Sequence, residues 1–356
     1  MQLDPLQHAI SQEGWTKRMH ACADQTPVRV GVIANPRARR LQRAGQRRLL
    51  ESLAGPRLYE ETRDLASLRR ALAHLVTDAG VNVLAVAGGD GSLHHTVNAL
   101  WQIGQETMEL HGVLPPMPRI LILNGGTLNI VGRSVAIHGP PAETLRQFLQ
   151  SFRDQPLSRI PVRPMPLLEV AWQGQTPRLG FIFGSAAAYH ALELYGRFGA
   201  GYWGLTRFLS TFAHGALWGN EMWRRESWKL GPYADLQVDD RHFSTYTGVV
   251  AATADLTLAI GAIRAIRRPL GAEGFAVRVV GETEPRRLAK LLPALMSTKQ
   301  TQGIVDIPFA QHLHLSGPCT LDGEIFEAPT PHLPLHVYRH AQLLAVVPAN
   351  AFGAAK

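Results

Sequence analysis

The run Val86-Ala-Gly-Gly-Asp-Gly-Ser92, closing an apolar stretch that begins at Val81, constrains this chain more than any other feature. Consecutive glycines let a backbone turn sharply and bring N–H groups close to an anion. A helix starting at such a turn adds its positive N-terminus. The pattern predicts a buried strand over Val81 to Ala87, a phosphate-binding turn, and a helix over Leu93 to Trp101. Asp90 would repel a phosphate directly. Its chemistry is to hold Mg²⁺ or the ion's water ligands, or to accept a proton from an attacking hydroxyl. The plainer reading is a strand-to-helix turn with an acidic cap.

The design recurs. Ile120-Leu-Ile-Leu123 reads as a strand and runs into Asn124-Gly-Gly-Thr-Leu-Asn129, where Thr127 can offer a hydroxyl to phosphate and Asn129 can bond nucleotide or backbone. Upstream, Val28 to Ala34 reads as a strand closed by the turn Asn35-Pro36. Leu41 to Leu53 reads as a helix, and Leu65 to Val76 as an amphipathic one with Leu65, Leu68, Leu72 and Leu75 on one face. Strands and helices in alternation, with Gly-rich turns at strand ends, predict an α/β nucleotide-binding domain with an open parallel sheet over residues 27–155, after a leader over residues 1–26.

Pro156, Pro161, Pro164 and Pro166 then mark a junction. Beyond it, Leu167 to Trp172, Leu179 to Phe183, Tyr246 to Ala251, Phe275 to Val280 and Ile304 to Ile307 predict a mainly antiparallel β domain over residues 156–341. A helical insertion rich in aromatics is expected at about 186–217, and a helix over Glu284 to Met296. A last strand at about 342–348 is expected to return to the first domain. Leu321-Asp-Gly-Glu324 has two readings. Extended, it would put Asp322 and Glu324 on one side, a pair able to organise Mg²⁺ and deprotonate an alcohol. Otherwise Asp-Gly is a hairpin signal.

The net charge of +8 suits acidic partners: nucleotide phosphates, anionic lipid or nucleic acid. Arg37, Arg39, Arg40, Arg43, Arg47 and Arg48 concentrate part of it. No recognition motif accompanies that charge, so nucleic acid is not an expected partner. Cys22 and Cys319 make neither a disulfide framework nor a zinc site, which fits a reducing cytoplasm. No signal peptide is read at the start, and no apolar stretch reaches the roughly 20 residues that span a bilayer.

The order Asn-Pro, Gly-Gly-Asp-Gly-Ser, Gly-Gly-Thr-Leu-Asn and a distant Asp-Gly-Glu resembles the diacylglycerol kinase catalytic family, which includes bacterial lipid kinases and sphingosine kinases. The resemblance runs from about Val28 to Pro348. It implies an α/β domain and a β-sandwich domain, with ATP and Mg²⁺ as cofactors. It implies that Gly88, Gly89, Gly91 and Ser92 cradle the ATP phosphates, joined by Gly125 and Gly126 of the second loop. Asn35, Thr62, Thr127 and Asn129 would contact nucleotide. Asp322 would be the general base with Asp90 as rival, Glu324 would support it, and Asp90 and Asp322 would hold the metal. The implied partner is a lipid at the membrane surface, met by peripheral association with the inner face of the membrane; a homodimer is also expected.

This sequence departs from the family pattern at Ile130, where an Asp is common, and at His94 and His95, where a Glu is common. Both histidines are read as helix-surface residues. Glu273-Gly274 stands where some members have Asp-Gly and a structural metal, which is not carried over. Tyr195, Phe198, Tyr202, Trp203, Phe208, Phe212 and Trp218 are core aromatics, or line an acyl-chain pocket, or face the membrane from an interfacial helix. Gly184-Ser-Ala-Ala-Ala-Tyr189 lacks the acid that sphingosine kinases place there, so a diacylglycerol-like substrate is favoured over a sphingoid base. The rivals are an NAD kinase-like or phosphofructokinase-like enzyme, which would share Gly-Gly-Asp-Gly, and a catalytically weak nucleotide- or lipid-binding sensor on the same scaffold.

Overall fold

The computed structural model describes residues 25–112, 117–127, 129–199, 207–208, 210–211, 214–215, 218–258, 263–266, 274–282, 284, 287, 291, 293–295, 297, 301–328, 330 and 332–352. Most of the expected leader, Cys22, Tyr202, Trp203, Phe212, Glu273 and parts of the helices expected over 186–217 and 284–296 lie outside the described residues. The chain divides into two compact units, Met1–Met165 with Ala341–Lys356, and Pro166–His340.

The first unit is built on four parallel strands, β1 (Val30–Ala34), β2 (Tyr59–Glu61), β3 (Val83–Gly88) and β4 (Arg119–Asn124), in the order β2-β1-β3-β4. Val346 adds a parallel neighbour beside Ile120 of β4. Every residue of β1 and β3 is buried, as a parallel sheet covered on both faces requires. Val32, Ala34, Val83, Ala85, Leu121 and Leu123 share one core with Leu50 of helix α1 (Ala44–Ala54) and, from a later helix, Phe148. Ile33, Leu84, Val86, Ile120 and Ile122 alternate with them and are equally buried.

Helix α2 (Leu65–Leu72) opens on a capping box between Asp64 and Ser67, and continues as a π-helical turn over Ala73–Asp78. Leu68, Leu72 and Leu75 are buried as the spacing predicts, but Leu65, the first helical residue, is 58% exposed. Helix α3 (Asp90–His111) is much longer than the expected Leu93 to Trp101. Its last turns hold good helix formers on a mostly exposed surface, so no apolar period marks them. Arg69 of α2 holds them by bonding Gln102 and Glu106. Helices α4 (Ile130–Ser134) and α5 (Pro141–Phe152) complete this unit, with Phe148 on α5.

The second unit is a sandwich of antiparallel sheets. Its elements are β5 (Arg163–Trp172) from Pro166 on, β6 (Arg178–Gly180), β7 (Ile182–Ala186), α6 (Ala187–Tyr195), α7 (Glu221–Glu226), β8 (Tyr233–Val238), β9 (Arg241–Tyr246), β10 (Gly248–Ala252), the ribbon β11 (Leu256–Leu258) and β12 (Ile263–Ile266), β13 (Phe275–Val280), β14 (Ile304–Ala310), β15 (His312–Ser316), β16 (Cys319–Leu321), β17 (Glu324–Phe326) and β18 (Pro334–Val346) up to His340. One sheet runs β14-β13-β10-β7-β16-β17; in the other, β15 lies between β8 and β18, with β9 beyond β8. Leu168, Phe183, Leu236, Val249, Val277, Leu313 and Val337 meet in the core between them.

The expected strand Leu179 to Phe183 is two strands with Phe181 between them, and Tyr246 to Ala251 is cut at Thr247. Thr247 leaves the ladder because its N–H goes to Val280 O and its hydroxyl to Glu282 O. No helix of the described residues is long and apolar enough to cross a membrane.

Candidate functional site

Parallel strands all end at one edge of their sheet, and ligands of such sheets bind there. In register, Ala34 stands between Glu61 and Ala87, and Gly88 beside Asn124. Thr62, Asn35, the Gly88-Gly89 turn and the Gly125-Gly126 turn therefore follow one another along that edge. Two backbone bonds extend the ladder past the strands: Asn35 N to Ala87 O and Thr62 N to Ala34 O, both 2.9 Å.

The two Gly-rich turns pack backbone against backbone. Gly125 N and Gly126 N both donate to Gly88 O, at 2.7 and 3.0 Å. A Cβ on Gly126 would lie 2.5 Å from Gly89 Cα, and one on Gly125 would lie 3.1 Å from Gly88 Cα. These positions need glycine for the contact between turns, before any ligand is considered. A Cβ on Gly88 would overlap Ser92 at 2.3 Å. Ser92 Oγ in turn accepts from Asn35 Nδ2 at 2.9 Å, tying the end of β1 to the first turn of α3. Asn129, at a left-handed φ of 48°, folds its amide back onto Gly126: Gly126 N donates to Oδ1 and Nδ2 donates to Gly126 O. Of its two expected partners, nucleotide or backbone, the backbone holds it. Thr127 follows the second turn, half-buried.

Asp90, the first residue of α3, accepts Ile130 N on Oδ2 at 3.0 Å and Val131 N on Oδ1 at 3.2 Å. Opening N–H groups of a helix lack intrahelical partners, and here the carboxylate of one loop satisfies those of the helix that follows the other. Gly91 sits with Asp90 and Ser92 in the first turn of α3, whose own N–H groups and dipole favour an anion.

Two residues not singled out from the sequence complete this edge. Asn124 donates Nδ2 to Ile137 O at 2.6 Å, in a space that Gly132 leaves open. Arg40 donates its N–H to Gly125 O at 2.9 Å and its guanidinium to Asn124 O and Gly139 O. A buried polar residue closing a strand was the available signal for Asn124; Arg40 was submerged in a run of arginines. Arg47 pairs with Glu61 at 2.9 Å, and Glu61 also accepts from Tyr59, whose phenol is pushed up by burial and by that carboxylate.

Asp322 and Glu324 belong to the second unit. Leu321 pairs with Glu324, so Asp322-Gly323 is a two-residue hairpin turn, with φ of 54° and 90°. Both positive φ values match a type I′ turn. The extended reading, with both carboxylates on one side by strand alternation, is therefore corrected: Asp322 is a turn residue, and Glu324 opens β17. Asp322 Oδ1 accepts Phe181 N and Ile182 N, each at 2.9 Å, while Asp322 N donates to Ile182 O. A Cβ on Gly180 would lie 2.6 Å from Asp322 Oδ2.

His94 is corrected too. It is 1% exposed, in the core and not on the helix surface; the neighbouring His95 is half-buried and meets its ring edge-on at 5.2 Å. Among the described residues, no three His, Cys, Asp or Glu gather as metal ligands. Of the insertion's aromatics, Phe208 is buried against Phe198, and Trp218 is 72% exposed.

Residues 29–156 match the profile of the diacylglycerol kinase catalytic domain. No curated protein matches the chain in sequence. Three solved structures of proteins described as diacylglycerol kinases of Bacillus anthracis str. Sterne, two of them provisionally so described, share the fold. Their TM-scores are 0.61, 0.62 and 0.58, at 15%, 15% and 14% identity. Each comparison covers 91% of this chain, and 98%, 96% and 98% of the respective neighbour.

Proposed function

The chain carries a diacylglycerol kinase catalytic domain over residues 29–156, and from that premise we propose that it transfers the γ-phosphoryl group of ATP to a lipid hydroxyl, diacylglycerol-like rather than sphingoid. The observation that supports this best is the backbone-on-backbone packing of Gly88-Gly89 on Gly125-Gly126 at the carboxyl edge of the parallel sheet. It gives a rigid turn pair beside the N-terminus of a long helix, which is what holding a triphosphate requires.

In this reading Gly89, Gly91, Ser92 and Thr127 bind the phosphates, and Asn35 and Thr62 line the nucleotide side of the same edge. Asp322 accepts the proton of the attacking hydroxyl, with Glu324 in support. Asp90 is assigned to position the cradle, because its carboxylate joins the two loops through Ile130 N and Val131 N. Mg²⁺, when bound, would neutralise the triphosphate, with Asp90 at the nucleotide edge as a carboxylate to hold its water ligands. Such an ion keeps several waters and needs only one or two carboxylates besides phosphate, and a carboxylate has lone pairs beyond those given to amides. The donor set therefore fits. Positioning and electrostatics supply most of the catalysis.

The substrate test presents diacylglycerol, sphingosine and ceramide in mixed micelles, and NAD in buffer, with labelled ATP and Mg²⁺. Label in phosphatidic acid supports the proposal. Label in NAD phosphate alone, or ATP bound with no lipid turned over, contradicts it in favour of an NAD kinase-like enzyme or a sensor respectively.

A further inference from the structure

The outer face of the sandwich carries a cluster of imidazoles that phosphoryl transfer does not use. In the antiparallel pair of β15 and β18, His312 stands opposite Tyr338 and His314 opposite His336. Strand alternation sends Leu313, Leu315, Leu335 and Val337 into the core and leaves these four rings together on the other face. Tyr338 lies over His312 with centroids 4.5 Å apart and planes 3° from parallel, and His314 stacks on His336 at 4.6 Å and 24°. Diagonally, His312 Nε2 and His336 Nδ1 are 3.1 Å apart, with centroids 5.4 Å apart and planes 8° from parallel. Those distances put the two rings edge to edge in an N–H···N hydrogen bond.

Such a bond counts protons. A neutral imidazole has one donor and one acceptor nitrogen, whereas an imidazolium has two donors. The pair is satisfied when both rings are neutral, and it tolerates one added proton on the donor ring. A second proton removes the acceptor and sets two cations against each other, with His314 stacked alongside. The surroundings do little to offset this. Asp239, at the turn between β8 and β9, is the carboxylate beside His312 and accepts its backbone N–H at 2.8 Å. Gln237 of β8 stands opposite His314, and His242 of β9, beyond it, faces Asp235 at 3.7 Å. Glu169 of β5 is engaged by His340 at 2.7 Å. The rings stack rather than converge, and among the described residues no three ligating side chains gather, so the chemistry on offer is proton exchange and not cation binding.

We propose that this ladder is a proton-operated latch on the β15–β18 pairing, closed while the imidazoles are neutral and loosened once the pair takes up two protons. It stands apart from the phosphoryl-transfer reading. Burial first, and then neighbouring histidines, hold His312 and His336 below the ordinary imidazole value of 6.5. The opened state therefore binds more protons than the closed one in acid. The stabilisation is present in full above 6.5 and is lost as the pH falls below it.

The test is amide hydrogen exchange on the intact chain at about pH 7.5 and about pH 5.5, corrected for the intrinsic pH dependence of exchange. In acid, the amides of β15 and of residues 335–339 lose protection by about tenfold or more, while β10 and β13, which carry no histidine, keep theirs. His336→Phe keeps a ring in the stack but removes the N–H···N bond and a proton site, and it levels the two conditions. His314→Phe, a second variant should the first not fold, reduces the loss. Equal protection at both pH values in the wild type overturns the latch. So does an equal loss in β10 and β13, or the full loss persisting in the variants.

Discussion

At the scale of single residues, the candidate site is a set of contacts that tolerate one residue type each. Gly126 faces Gly89 Cα so closely that a methyl group cannot enter without moving a backbone. Gly126→Ala should cost about 1–3 kcal/mol of stability, the usual range for overpacking, and weaken ATP binding. Gly45 is its control: it lies in α1 with nothing near its missing Cβ. Gly45→Ala should stabilise by about 0.5–1 kcal/mol and leave ATP binding unchanged. Denaturant unfolding and calorimetric titration read both. Equal ATP affinity in wild type and Gly126→Ala would remove the turn pair from the nucleotide site. Asp90 makes a related prediction. Asp90→Ala strands two N–H groups of α4 and should cost about 0.5–2 kcal/mol, as loss of a helix cap does, whereas Asp90→Asn keeps one acceptor oxygen and should cost less. Equal stability of the two variants would contradict the tie between the loops.

At the scale of elements, the hairpin of β16 and β17 separates two jobs that the sequence could not. Asn is at home in a type I′ turn and still offers an oxygen to Phe181 N and Ile182 N. Asp322→Asn should therefore fold with an unchanged melting temperature, whereas Gly323→Ala, at a φ of 90°, should lower it. A large loss of stability in Asp322→Asn would show that the charge itself holds the hairpin. The legibility of the chain follows the same physics. β1, β3 and β4 were readable because strands buried on both faces are continuous apolar runs, and the glycine turns were readable because paired glycines at strand ends mark a close approach of backbones, which a Cβ would block. β15 and the first half of β18 escaped notice: their alternation is unbroken, but each offers only two apolar residues to the core, Leu313 and Leu315 in one and Leu335 and Val337 in the other, which is a short signal. Asp322-Gly323 was ambiguous because the same letters serve an active-site strand and a tight turn, and only the pairing of Leu321 with Glu324 decides between them.

At the scale of the whole molecule, charge is the property that matters most for a lipid substrate. The net charge of +8, with Arg37, Arg39, Arg43 and Arg48 exposed, should bring the protein to anionic bilayers without a spanning helix. Each basic residue near such a surface adds about 1 kcal/mol. Sedimentation with phosphatidylserine-containing vesicles should therefore be strong at low salt and fall steeply as salt shortens the screening length. Binding that ignores salt and lipid charge would argue against electrostatic docking.

The most direct measurement of the central claim is a single-turnover assay with ATP labelled at the γ-position in one arm and the α-position in the other, using diacylglycerol micelles and Mg²⁺. Wild-type protein should move γ-label, and not α-label, into the organic phase. Asp322→Asn should bind ATP as the wild type does and transfer at least about 100-fold less, the scale expected for loss of a general base. No γ-label in the lipid phase from wild-type protein with bound ATP would contradict the assignment of this chain as a lipid kinase, and full transfer by Asp322→Asn would contradict Asp322 as its base.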